Sequence, residues 1–220
     1  LHYPLRRQRQ MCIRDSRNGG QVIPGLKYDP DALISMFGQE RGERLLRFAG
    51  STADAVFNLI DRHAMDVPHV RKGWIQGAHN ADALRIAHDR AAQWARHGVD
   101  AQPLDRAQVG RLLGTDRYLG GWVDHRAGAV QPLSYARGLA RAALNAGATI
   151  HTDTPVTGLT RNGGKWVATT AGGPTVSADR VVMCTNAYGG DLLPGLKTSV
   201  IDANTCLLYT SDAADEEDSV

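Results

Sequence analysis

PLSYARGLARAALNAG, Pro132–Gly147, is the stretch from which the fold is read. Pro132 suits the first turn of a helix, where its missing N–H costs nothing. Tyr135, Ala136, Leu139, Ala143 and Leu144 then recur at helical spacing as a small apolar face, and Asn145-Ala146-Gly147 stops the helix. Ala148–His151 reads as a short strand after it, so the unit is half of a βαβ crossover. Three strand candidates follow at Val156–Leu159, Lys165–Thr170 and Thr175–Ser177, with Asn162-Gly163-Gly164 and Gly172-Gly173-Pro174 as the turns of a β-meander. Arg180–Cys184, RVVMC, is a continuous apolar run, which predicts a strand buried on both faces of a parallel sheet. The class is therefore α/β.

Upstream, Asp29 or Asp31 caps a short helix through Phe37 with Pro30 in its first turn. A longer helix is predicted from about Arg41 to His63, burying Leu45, Phe48, Ala49, Thr52, Val56, Leu59 and Ile60. Val67–Ala78 is strand-like around Trp74 and Ile75. Ala81–His97 is helical, Asp105 opens a short helix to Leu113, and Tyr118–Asp124 alternates as a strand.

Composition excludes several functions. A chain of 220 residues that is 42% apolar can bury a core, and its formal net charge of +2 is too mild to argue for nucleic acid. No apolar run is long enough to span a bilayer. Arg6, Arg7 and Arg9 are not followed by the apolar stretch of a signal peptide. Cys12, Cys184 and Cys206 form no CxxC and no Cys/His cluster, so neither a metal site nor a disulfide scaffold is expected, and a cytoplasmic setting is.

Two Gly-rich segments can carry ligand chemistry. The pyrophosphate of a dinucleotide is best held by backbone N–H groups at loop-to-helix junctions, where glycine lets the chain approach. Arg17-Asn18-Gly19-Gly20-Gln21 offers such a loop, and Arg17 adds a full charge. Alone, it reads more readily as a surface turn with an exposed Arg. Thr185-Asn186-Ala187 directly follows the RVVMC run, and ligands of open α/β sheets lie just beyond strand ends. Alone, Asn186 reads as a helix cap.

Four stretches give these loops a common meaning: RNGGQVIPG (17–25), DRYLGGWVDHRAGAVQPLSYARGLARAALNAGA (116–148), TPVTGL (154–159) and ADRVVMCTNAYGGDLLPGL (178–196). Together they resemble the D-amino-acid oxidase superfamily of FAD-dependent oxidoreductases, and within it the gamma-glutamylputrescine oxidoreductase branch. The resemblance implies a partial FAD-binding domain (Rossmann-like, glutathione-reductase-type) with a β-meander, interrupted by part of an α+β substrate domain. The expected boundaries are 17–65 and 131–205 for the FAD-binding domain and 66–130 for the substrate-domain excursion.

In that family the loop at Arg17, Asn18, Gly19, Gly20 and Gln21 runs past the flavin. A valine backbone, here Val156, lies beside the adenine, and Thr185, Asn186 and Ala187 approach the FAD. The family's opening strand with GxGxxG, its ribose-binding acid and its closing Gly-rich segment should lie outside 17–205, so the chain is expected to be an incomplete piece. Residues 1–16 and 206–220 match neither period nor family. MCIRDS and CLLYTSDAAD look like translated sequencing-adaptor read-through and are expected to be foreign.

The implied activity is oxidation of a C–N bond in a small amine or amino acid, gamma-glutamylputrescine or a related amine, with hydride passing to FAD, imine hydrolysis and release of peroxide. Glycine or sarcosine oxidation and D-amino-acid dehydrogenation remain alternatives, as does an inert fragment unable to hold FAD. An NAD-dependent dehydrogenase is disfavoured, because GxGxxG is absent and three strands are inserted after Val156. His125, in Asp124-His125, is a candidate catalytic residue beside the more common structural role. Trp74 and Trp122 are candidates to line a substrate cavity or to pack the core. Cys184 reads as a small buried hydrophobe.

Overall fold

Residues Gly120–Asp124 are buried without a break, the pattern of a strand flanked on both sides and covered on both faces. The computed structural model describes residues 18–185, 192–193 and 195–199. The chain divides into two units, Leu1–Ala148 and Thr149–Val220. In chain order the first contains β1 (Gln21–Val22), α1 (Pro30–Phe37), α2 (Gln39–Gly50), α3 (Thr52–Arg62), β2 (His69–Val70) and β3 (Trp74–Ala78). It continues with α4 (Ala81–Arg96), β4 (Ala101–Asp105), α5 (Arg106–Leu113), β5 (Gly120–Asp124), β6 (Gly128–Val130) and α6 (Pro132–Asn145).

Its two sheets are antiparallel and three-stranded, ordered β1-β6-β2 and β3-β5-β4. In the second sheet β5 is central, pairing Trp74 with Asp124 on one side and Ala101 with Asp124 on the other. Pro103 is tolerated because β4 lies at the edge. The start of α5 at Asp105 is as expected. Asn80 accepts the Ala83 N–H at 2.8 Å to start α4, and Asp105 and Gln108 form a reciprocal capping box on α5. Ala87, Ala91 and Trp94 of α4 then pack with Leu33, Leu46, Ala101 and Trp122.

The helix expected over Arg41–His63 is two helices, broken at Ser51. Ser51 and Thr52 turn their hydroxyls back onto the carbonyls of Phe48 and Ala49 at 2.9 and 2.8 Å, competing with the helical ladder. The buried face becomes Leu46, Ala49, Ala53, Phe57 and Ile60, and Phe48 is 72% exposed instead of buried.

Phe57, Ile60 and Met65 pack beside Tyr135 and Leu139 of α6. Burial raises the Tyr135 phenol above its ordinary value of 10.0. Its protonated form is therefore favoured in the folded chain, and the associated stability is complete below pH 10 and lost as pH rises through the folded value. Stability measured by urea unfolding is expected to fall above pH 10, and Tyr135→Phe is expected to flatten that decline.

The second unit is the expected meander, β7 (Val156–Asn162), β8 (Lys165–Thr170) and β9 (Thr175–Ala178), in the order β7-β8-β9. Two expected strands are not formed. Ala148–His151 has no regular structure, and neither has Arg180–Cys184, where Val182 is 82% exposed and Cys184 is exposed. An apolar run becomes a strand only where a neighbour pairs with it, and no described strand pairs with either segment. Among the described residues every sheet is antiparallel.

Candidate functional site

Asn18–Gln21 forms one continuous element. The Asn18 side chain accepts the Gly20 N–H at 2.8 Å, and the Gly20 carbonyl accepts the Val130 N–H at 2.8 Å. Gln21 and Val22 then pair with Ala129 and Gly128. Gly20 is buried at φ 71°, and a Cβ there would lie 2.1 Å from the Val130 carbonyl oxygen and 3.2 Å from the Pro132 ring. Only glycine lets the loop close on β6 and the first turn of α6. Asn18, Gly19 and Gln21 stay exposed. A glycine held open to solvent beside a fixed turn fits a bulky anionic dinucleotide, as the resemblance requires.

The residues around Trp74 and Trp122 form a second feature of this unit. The two rings meet edge to face with centroids 5.9 Å apart, and Trp122 Nε1 donates to Gln76 Oε1 at 3.0 Å. Arg90 donates to both carboxylate oxygens of Asp29, at 2.6 and 3.3 Å, and to Gln76 at 2.9 Å. A cleft of about 130 Å³ lies between these groups, Trp94 and the segment Ile23–Lys27 that leads on from the Gly-rich loop. Trp74 and Trp122 are thus both core and cleft wall. Sequence reading missed Asp29 and Arg90 as partners. Asp29, one of the two expected caps of α1 with Asp31, takes the N-cap position but makes no side-chain cap bond and pairs with Arg90.

His125 is exposed, and its backbone N–H donates to the Asp100 carbonyl at 3.1 Å. The buried chemistry at this turn belongs to its neighbours. Asp124 is 1% exposed and receives Arg126 Nε at 3.0 Å and an Arg126 terminal nitrogen at 2.6 Å.

In the second unit, Val156 is 41% exposed at the start of β7, whose outer edge carries no described strand. The register breaks between Val156 and Gly158. An edge backbone of this kind has polar groups free to meet a flat heterocycle, which fits the adenine contact that the resemblance implies. Thr185 is exposed at the end of an irregular segment. Arg17, Asn186 and Ala187 lie outside the described residues.

Against known proteins, residues 14–217 match the DAO family, FAD dependent oxidoreductase. The chain belongs to this family, whose cofactor is FAD. It is 27% identical over 203 residues to the probable oxidoreductase OrdL of Haemophilus influenzae, covering 88% of this chain and 46% of that protein. It is 27% identical over 202 residues to the gamma-glutamylputrescine oxidoreductase of Escherichia coli, covering 91% and 47%. Glycine oxidase from Geobacillus kaustophilus shares the fold, with a TM-score of 0.65 at 21% identity over 84% of this chain and 48% of that one. The chain thus spans just under half the length of the curated relatives it matches. Among the described residues no helix is long and apolar enough to cross a membrane.

Proposed function

We propose that the whole protein oxidises a C–N bond of a small amine or amino acid, with gamma-glutamylputrescine or a related amine as the preferred substrate and polyamine catabolism as its setting. The family match across residues 14–217 carries the reading, and the name of the Escherichia coli relative supports the substrate. FAD, when bound, supplies the acceptor for a hydride from the carbon bearing nitrogen, and the resulting substrate imine hydrolyses in water. The residues of this chain hold and orient. In this reading Asn18, Gly19 and Gly20 offer backbone to the dinucleotide, with Arg17 as a charged partner. Gln21 lies where the loop enters β1, Val156 offers an edge backbone to the adenine, and Thr185, Asn186 and Ala187 complete the approach. A cytoplasmic setting belongs to the same proposal.

A peroxide-release screen of the whole protein over gamma-glutamylputrescine, sarcosine, glycine and D-alanine tests the substrate. The expected result is the highest kcat/KM for gamma-glutamylputrescine, and a clear preference for glycine or sarcosine would move the assignment to those substrates. The 220-residue chain alone is a separate matter. It spans under half of its relatives and is expected to purify colourless. A flavin absorbance band in the purified chain would sink that expectation.

A further inference from the structure

We propose that Arg126 is a positioning residue that fixes the sheet carrying the Gly-rich loop relative to the tryptophan-lined sheet. Its functional meaning rests on the reading of Asn18–Gln21 as the flavin-facing loop. Two short links join the sheets of the first unit, 71–73 between β2 and β3 and 125–127 between β5 and β6. They run side by side, since the Gly73 N–H donates to the Ala127 carbonyl at 3.0 Å. β6 is the central strand of its sheet and pairs directly with β1. A shift at the 124–127 turn therefore carries Gly20, Gln21 and Val22 with it.

Arg126 locks this turn from three directions. Its backbone N–H donates to an Asp124 carboxylate oxygen at 3.0 Å, and its guanidinium adds the fork of two further bonds at 3.0 and 2.6 Å. Asp124 belongs to β5, so the fork ties the turn to the tryptophan-lined sheet. The guanidinium carbon lies 4.3 Å from the Trp94 ring centroid, which holds the turn against α4. One guanidinium nitrogen also sits 3.0 Å from where a Cβ on Gly50 would be, so the end of α2 closes the third side. Among the described residues Asp124 is the one carboxylate in the buried set. A buried ion pair is a weak device for stability but a directional one, because a planar fork accepts few orientations of its carboxylate.

Amide hydrogen exchange on the 220-residue chain, without flavin, tests the assignment. In Arg126→Gln, exchange at 20–22 and 128–130 is expected to quicken about tenfold or more, while β3, β4 and β5 change less than about threefold. Arg126→Lys, which keeps a charge opposite Asp124 but lacks the planar fork, is expected to recover only part of the protection. His125→Ala is expected to change neither sheet. An equal rise in both sheets, or no rise at 20–22, overturns the proposal. Should Arg126→Gln fail to fold, the double variant Asp124→Asn, Arg126→Gln leaves no buried charge and carries the same comparison. The measurement is independent of any turnover assay. A colourless or inactive whole protein would therefore remove the flavin reading and leave the positioning result to stand or fall by exchange alone.

Discussion

Replacing Trp122 by alanine is expected to destabilise the first unit by about 3–5 kcal/mol, read as a lowered urea midpoint with little change in slope. Trp122 is 3% exposed and sits on the central strand of its sheet, packed with Leu33, Leu46, Ala87, Ala91 and Trp94. Those contacts come from α1, α2 and α4, so a void there loosens several elements at once. The effect should be mostly a packing loss. Gln76 keeps its bond from Arg90 at 2.9 Å when the indole N–H is gone, so no buried acceptor is orphaned. Trp122→Phe separates the two contributions and is expected to cost about 1–2 kcal/mol, since most of the ring volume remains. A loss in Trp122→Phe as large as in Trp122→Ala would place the stabilisation in the hydrogen bond to Gln76 instead.

The second large effect is expected at Gly20. Gly20→Ala should cost about 2–3 kcal/mol from two sources acting at one atom. The new Cβ meets the Val130 carbonyl oxygen at 2.1 Å, and φ 71° already disfavours any side chain. No rotamer relieves a clash at Cβ, so the backbone itself must move. The Gly20 carbonyl that accepts the Val130 N–H moves with it, and β1 separates from β6. Exchange should quicken at 20–22 well before the rest of the chain unfolds. In the whole protein the same variant is expected to lose flavin, measured as the ratio of visible to ultraviolet absorbance. Gly19→Ala is the matched control. Gly19 is exposed, and its substitution should leave the β1–β6 pairing in place.

Much of the helix content was legible because it is written locally. Pro132 in the first turn of α6 and the Asp105 side chain at the start of α5 act through residues next to them in sequence, and the structure uses both in that way. The meander was legible for the same reason, its Gly-rich turns lying between short alternating runs. What could not be read depends on distant partners. β1 and β2 are two residues each and carry no alternation to detect. They exist because β6 lies between them. RVVMC failed as a strand by the same rule in reverse, an apolar run without a described neighbour. Phe48 was misplaced because the buried face runs through Leu46, Ala49, Ala53, Phe57 and Ile60, about one residue round from the face expected on both sides of Ser51.

At the candidate site the glycines were found and their partner was not. Asn18-Gly19-Gly20 reads as a loop from composition, but nothing local says that Val130 closes on it. The Asp124-His125 pair drew attention to this turn, where the buried ion pair is made by Asp124 and Arg126. Histidine is conspicuous in a sequence, whereas an arginine stacked on a tryptophan is visible only in three dimensions.

The pairing of Gln21 with Ala129 also sets an order of events during folding. These residues are about a hundred apart in the chain, so their sheet can close only after a loop of that length has been drawn in. Everything between them, α1 through β5, forms inside that loop. The meander of the second unit has only neighbours to find and should form early. The Gly-rich loop is then among the last parts of the first unit to be locked in place. A refolding experiment with pulsed exchange should see residues 20–22 gain protection after β8, in a slower phase that tracks the docking of β6.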